Sequence, residues 1–135
     1  MEQQFPLTYS LSKTGLPLID VKSFDIDICL LLDTSSNINI IDERIYEYLK
    51  DKLPETEEHK NIGALYGMGE GVLINLPFTF ESQEYNELFV TSVVLPSAIE
   101  RVYNEAGIRV HGILGNLFFL KHGWILDFKK MEVYK

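Results

Sequence analysis

Residues 28–37 read Ile28-Cys29-Leu30-Leu31-Leu32-Asp33-Thr34-Ser35-Ser36-Asn37, an apolar run that ends on one carboxylate and four small polar residues. Five consecutive apolar residues predict a strand buried on both faces. Asp33 follows where that strand ends, and the hydroxyl groups after it can donate hydrogen bonds to its carboxylate. The segment has two interpretations. It is either an ordinary polar turn or a carboxylate at the floor of a cleft, where nearby donors and charges set its ionisation.

A second informative stretch lies near the C-terminus, where Gly112 and Gly115 bracket the apolar pair Ile113 and Leu114. A short apolar helix is expected over residues 116–121, and another strand over residues 124–128. Glycine permits one backbone to approach another closely. This stretch therefore predicts a segment packed tightly against a neighbouring loop.

Together the two stretches resemble those of retroviral-type, or retropepsin-like, aspartic proteases, and the bacterial members most of all. In that family a hydrophobic strand leads into Asp-Thr/Ser-Gly-Ala/Ser, and a hydrophobic-hydrophobic-Gly motif near the end crosses behind the catalytic loop. Here residues 31–36 match the first motif and residues 113–116 match the second, about eighty residues later. The resemblance extends over residues 16–133. One residue departs from the pattern, because Ser35 stands where the family has glycine.

The resemblance implies a mainly β chain, with residues 1–135 forming one domain that is a partly closed β-barrel of the acid protease fold. A flap hairpin and two or three short helices complete the expected fold. In the family's terms Asp33 is the acid/base, Thr34 locks two catalytic loops together across a dimer, and Ser35 borders the carboxylate. The expected tip of the substrate-binding flap is Tyr66, Gly67, Met68 and Gly69, and the expected supporting loop is Gly112, Ile113, Leu114 and Gly115.

Aspartic protease chemistry needs two carboxylates that share a proton, one to activate water and one to polarise the scissile carbonyl. The chain offers one suitable carboxylate, Asp33, and 135 residues cannot hold two lobes. The mechanism therefore requires a symmetric homodimer in which two copies of Asp33 face each other. We expect a peptide or protein substrate and no cofactor.

Three functions stay open at this stage. The first is a dimeric endopeptidase. The second is an impaired protease-like domain that binds peptide or protein partners without cleaving them, because a side chain at Ser35 could crowd the facing loop of a second subunit. The third is a monomeric domain with a structural role, since a fold does not specify a function.

Residues 63–71 contain four glycines, a composition that fits two kinds of loop. A phosphate-binding loop is disfavoured because no lysine follows, Glu70 lies within the loop, and a strand rather than a helix comes next. A mobile hairpin suits the composition better, because a flap must open to admit substrate and must bind an extended peptide through its backbone.

The remaining patterns predict strands at residues 7–10, 16–21, 72–80 and 88–95, with a polar turn over residues 81–86. A helix is expected over residues 42–50. Another should begin with a capping box formed by Ser97 and Glu100 and end at Gly107. The helix over residues 116–121 should stop at Gly123, and a hairpin of residues 124–128 and 131–134 should close the chain.

Composition bears on the possible partners. The chain has 12 basic and 20 acidic residues and a formal net charge of −8, which argues against nucleic acid and anionic membranes. No apolar run approaches the roughly 18 residues of a membrane helix, and no signal peptide is visible, so a cytoplasmic protein is expected.

Other candidate chemistry is weakly supported. His59, His111, His122 and Cys29 share no metal-ligand spacing, so no metal site is expected. Cys29 has no cysteine partner and should be a buried, inert thiol. Asp127 is interpreted as an outward-facing or hydrogen-bonded strand residue.

Overall fold

The computed structural model describes residues 3–53 and 71–135. This part of the chain is mainly β, with nine strands, four short α-helices and a 3₁₀ turn at Lys50–Lys52. In chain order the elements are β1 Gln4–Pro6, α1 Thr8–Thr14, β2 Leu18–Ser23, β3 Ile26–Leu32, β4 Ile40–Asp42, α2 Glu43–Leu49, β5 Leu73–Phe80, β6 Gln83–Ser92, α3 Ser97–Ala106, β7 Gly112–Leu114, α4 Asn116–His122, β8 Ile125–Asp127 and β9 Glu132–Tyr134.

Six strands form a closed barrel in the order β2-β3-β7-β4-β6-β5. The β3–β7 and β4–β6 pairs are parallel and the other pairs are antiparallel. The barrel closes between β2 and β5 at the pair Lys22 and Thr79. The remaining three strands form a small sheet in the order β1-β9-β8, which joins the two ends of the chain. The expected barrel is thus present, and it is closed rather than partly closed.

The apolar run of β3 is buried on both faces, as its composition predicts. Ile28, Leu30 and Leu32 point into the main core, together with the aromatic side chains of β5 and β6. Cys29 and Leu31 point the other way, into a second core that α3 covers with apolar side chains. A strand covered on both sides has no solvent-exposed face, so apolar and polar residues do not alternate along it.

The strand prediction for residues 72–80 is confirmed, and β5 shows a regular alternation. Ile74, Leu76, Phe78 and Phe80 are buried, whereas Asn75 and Thr79 are exposed. The hairpin at the end of the chain is also confirmed, since β8 pairs with β9. The helix predicted from residue 116 is α4, and it ends at a left-handed glycine, Gly123, with φ 67°.

The prediction of a strand over residues 7–10 is wrong, because these residues belong to the start of α1. Leu7 is buried, and the Ser10 hydroxyl donates to the Leu7 carbonyl and accepts from the Leu18 amide. Gly15 ends the helix with φ 75°, a left-handed conformation that glycine adopts readily. Four residues of apolar and polar alternation are too few to separate a strand from one helical turn.

Two local details also differ from expectation. The turn between β5 and β6 contains only Glu81 and Ser82, which have φ 50° and 64°, and β6 begins at Gln83. The polar residues after that turn, Gln83, Glu84 and Asn86, are exposed strand residues of β6. The predicted capping box is not formed, because Ser97 is itself the first residue of α3 and its cap, Pro96, has no side-chain hydrogen bond to offer.

In the described residues no helix is long and apolar enough to cross a membrane.

Candidate active site

Asp33 lies in the tight turn that follows β3. Its backbone amide donates to the carbonyl oxygen of Leu114 at 3.0 Å, and its own carbonyl accepts from the Ser36 amide at 3.2 Å. The residue is half-buried, whereas Thr34 and Ser35 are exposed. The turn therefore presents a carboxylate at the surface end of a buried strand, where another molecule can approach it.

The Asp33 carboxylate is held by its neighbour in the chain. Its Oδ1 accepts hydrogen bonds from the Ser35 amide at 3.0 Å and from the Ser35 hydroxyl at 2.5 Å. Both bonds reach the same oxygen, so they orient the carboxylate from one side. This second donor, the hydroxyl, has no counterpart in a motif with glycine at this position.

The backbone at Ser35 is unstrained. The non-glycine residues with left-handed backbone in residues 3–53 and 71–135 are Phe24, Glu81, Ser82 and Met131. Ser35 is not among them, so this position does not require the conformational freedom of glycine. Within one chain the replacement adds a donor and costs no backbone strain.

The segment Gly112–Leu114 is β7, and it runs parallel to β3 with Leu32 opposite Leu114. It lies between β3 and β4 in the barrel. A Cβ at Gly112 would overlap the carbonyl oxygen of Ile40. The glycine therefore allows β4 to pass at a distance that no side chain permits.

Gly115 follows β7 and is crowded in a similar way. Its φ is −94°, which any residue can adopt. A Cβ there would lie 2.5 Å from the Ile38 carbonyl oxygen and 2.7 Å from that of Ser36. The Asn116 amide also donates to the Ser36 carbonyl at 2.6 Å. Glycine is needed here because the backbone that follows Asp33 occupies the position that a Cβ would take.

The structure thus brings Asp33, Thr34 and Ser35 together with the stretch Gly112, Ile113, Leu114 and Gly115. The four residues predicted for the flap, Tyr66, Gly67, Met68 and Gly69, lie outside the described residues. Asp127 is elsewhere, on β8 in the small sheet, and its Oδ1 accepts from the Lys130 amide at 3.0 Å.

His111 and Cys29 lie beside each other, because the Cys29 amide donates to His111 Nδ1 at 2.9 Å. Because a backbone amide can only donate, His111 Nδ1 is the acceptor of this bond. Burial also lowers the pKa of His111 below its ordinary value. Burial, reinforced by Asp20, raises the pKa of Cys29 to about 12. In the described part of the chain, no three His, Cys, Asp or Glu side chains are grouped so that they could hold a metal ion.

A cavity of about 690 Å³ lies beside the residues that follow the Asp33 turn, and no sequence pattern predicted it. Asn37, Ile38 and Asn39 form one wall, and residues of β5, β6 and α4 form the others. The side-chain hydrogen bonds of Asn39 were not predicted either, since in the sequence Asn39 is only the polar member of an Ile-Asn-Ile alternation. No local signal reveals these bonds, since both partners lie far away in the chain.

Comparisons with known proteins agree with this architecture. No protein-family model and no curated protein matches the sequence. A retropepsin-like aspartic protease from Rickettsia conorii superposes with a TM-score of 0.58 at 15% identity, covering 99% of this chain and 89% of that one. The retroviral protease-like domain of Ddi1 from Leishmania major has a TM-score of 0.55 at 11% identity, covering 84% and 82%.

A third structure, EIAV protease in complex with the inhibitor HBY-793, has a TM-score of 0.51 at 16% identity and covers 80% of this chain and 88% of its own. All three are similar to this chain along most of both lengths. The fold is therefore that of the retropepsin-like aspartic proteases, in agreement with the resemblance of the two motifs.

Proposed function

We propose that this chain is a retroviral-type aspartic endopeptidase that acts as a homodimer. One observation carries the proposal: on a retropepsin-like fold, the half-buried Asp33 carboxylate ends a buried strand and is oriented by two donors from Ser35. Thr34 and Ser35 are exposed beside it, so the face around the carboxylate is accessible to a second copy. Residues 1–135 would form one such domain.

In the proposed dimer the two Asp33 carboxylates face each other across a two-fold axis and share one proton. The ionised member takes a proton from water, which attacks the scissile carbonyl carbon. The protonated member donates its proton to the carbonyl oxygen, and the tetrahedral intermediate then collapses with proton transfer to the leaving amine. Thr34 would bond across the dimer, and Tyr66 to Gly69 would cover the bound peptide.

The alternative is a protease-like domain that binds peptide or protein partners without cleaving them. It is favoured by the exposed side chain of Ser35, which stands where the family has glycine and where the facing loop of a second copy would approach. In this alternative the Ser35 hydroxyl, which donates to Asp33 within one chain, also crowds the facing loop of the second copy.

A peptide-library assay at about pH 4–6, where a shared proton is retained, distinguishes the two functions. Wild type, Asp33→Asn and Ser35→Gly are compared, and sedimentation equilibrium reports the oligomeric state. The proposed function requires cleavage by wild type that Asp33→Asn abolishes, and a dimer. Cleavage only by Ser35→Gly would support the alternative. A persistent monomer with no cleavage by any variant would reject both the dimeric enzyme and its impaired form.

A further inference from the structure

The side chain of Asn39 connects three segments of the fold. Its Oδ1 accepts from the Gly115 amide at 2.8 Å, and its Nδ2 donates to the Leu88 carbonyl on β6 at 3.0 Å. Its own backbone carbonyl accepts from the Val90 amide at 2.9 Å. Asn39 therefore joins the segment after Asp33 to the end of β7 and to β6.

The chemistry of the partners determines how the amide is oriented. A backbone N–H can only donate and a backbone carbonyl can only accept, so the oxygen must face Gly115 and the nitrogen must face Leu88. Among small side chains, a planar group with one acceptor and one donor on separate atoms satisfies both partners. Leucine would satisfy neither partner, and an ionised carboxylate would satisfy one and repel the other.

The segment from Asp33 to Asn39 is thereby held at both ends by the same stretch of chain. At its start the Asp33 amide donates to Leu114, and at its end Asn39 accepts from Gly115. Between these points the Ser36 carbonyl accepts from the Asn116 amide. The bond from Gly115 to the Asn39 side chain is the one bond of these three that uses a side chain, since the other two join backbone groups.

We propose that Asn39 is a positioning residue for the Asp33 carboxylate: by fixing the far end of the turn against Gly115, it sets where the carboxylate points. The inference rests on the proposed function for its effect on catalysis. The attachment itself is a property of the single chain. Carboxylate placement matters because a displacement of about 1 Å at a reacting group costs on the order of 100-fold in rate.

The test uses Asn39→Asp, Asn39→Leu and a matched control, Asn86→Asp. Asn86 is an exposed residue of β6 that lines the same cavity, and its side chain makes no hydrogen bond with other residues of 3–53 and 71–135. The control therefore introduces the same charge near the same cavity without breaking the attachment. The charged groups that line this cavity together with Asn39 are Glu87 on β6 and Lys121 on α4. His122 on α4 bonds Glu87, and Asp33 precedes Asn39 on the same segment.

We expect Asn39→Asp to lower kcat by about 10-fold to 100-fold near pH 6, with little change in KM. Below about pH 4 the introduced carboxyl is protonated, and it can again accept from Gly115 and donate to Leu88. The ratio of variant to wild-type kcat should therefore rise as the pH falls. Asn39→Leu should stay impaired at every pH, and Asn86→Asp should match wild type.

A readout independent of catalysis is hydrogen exchange of the Gly115 amide together with the NMR shift of the Asp33 carboxyl carbon. We expect faster exchange at Gly115 and a displaced Asp33 shift in Asn39→Leu, and neither in Asn86→Asp. If wild type cleaves no peptide, the proposed function fails while these NMR measurements still decide the attachment. Unchanged exchange and unchanged shift in Asn39→Leu would overturn the inference, as would a pH-independent loss in Asn39→Asp.

Discussion

Replacing Gly115 with alanine tests whether the close packing behind the Asp33 turn is a requirement for space. The added Cβ would lie 2.5 Å from the Ile38 carbonyl oxygen, 2.7 Å from the Ser36 carbonyl oxygen and 2.9 Å from the Ile38 carbonyl carbon. All three atoms belong to the backbone, so no side-chain rotation relieves the overlap. Because φ is −94°, an alanine would suffer no conformational strain of its own.

The size of the effect follows from two opposing terms. Overpacking against a backbone that must move costs about 3 kcal/mol. Alanine also restricts the unfolded chain relative to glycine, which returns about 0.7 kcal/mol. The expected net loss is about 2 kcal/mol in the free energy of unfolding, which for a chain of this size lowers Tm by about 7 °C.

The assay is urea unfolding followed by the fluorescence of Trp124, the single tryptophan of the chain, which is 6% exposed. The matched control is Gly15→Ala. Gly15 has φ 75° and nothing within 4 Å of the position of a Cβ, so that variant suffers left-handed strain of about 1 kcal/mol without a clash. The reasoning is refuted if Gly115→Ala is as stable as wild type, or more stable than Gly15→Ala.

Three further predictions concern buried groups. Burial, reinforced by Asp20, raises the pKa of Cys29 to about 12, so a thiol reagent at pH 8 should label the protein only in urea; rapid labelling of the folded protein would contradict this. Burial lowers the pKa of His111, so the stability it contributes is present above about pH 6.5 and lost as the pH falls below that value, and His111→Asn should flatten the pH dependence of the urea midpoint in that range. The side chain of Glu87 is 8% exposed and bonds Lys121 and His122, whereas that of Lys121 is 59% exposed, so Glu87→Ala should cost about 2 kcal/mol and Lys121→Ala clearly less; equal losses would contradict this difference.

Much of the barrel could be predicted because its strands carry strong local patterns. The alternation of β5 and the continuous apolar run of β3 each allow few other structures. Helix ends were readable where a glycine occupies the left-handed conformation, as at Gly107 and Gly123. The prediction over residues 7–10 was wrong because a pattern of four residues fits a strand and a helical turn about equally well.

The candidate site, like the fold, could be predicted only in part from the sequence. The position of Asp33 at the end of a buried strand and the close approach at Gly112 could be predicted from residue types. The double hydrogen bond from Ser35 to one carboxylate oxygen could not, because it depends on the rotamer and the backbone angles of an exposed turn. The motif also did not show that the backbone of Ser35 avoids the left-handed conformation. From the sequence, a side chain at this position suggested only that the facing loop of a second copy would be crowded.

A mainly β chain with one carboxylate after a buried strand could be predicted from local sequence patterns, since the periodicity of burial and the spacing of glycines are properties of consecutive residues. The hydrogen bonds of Asn39 with Gly115 and Leu88 form only in the folded chain. Those partners are 76 and 49 residues away along the chain, and they meet because strand pairing brings distant segments into register. Contacts of this kind depend on the whole barrel, so no local stretch of sequence contains them.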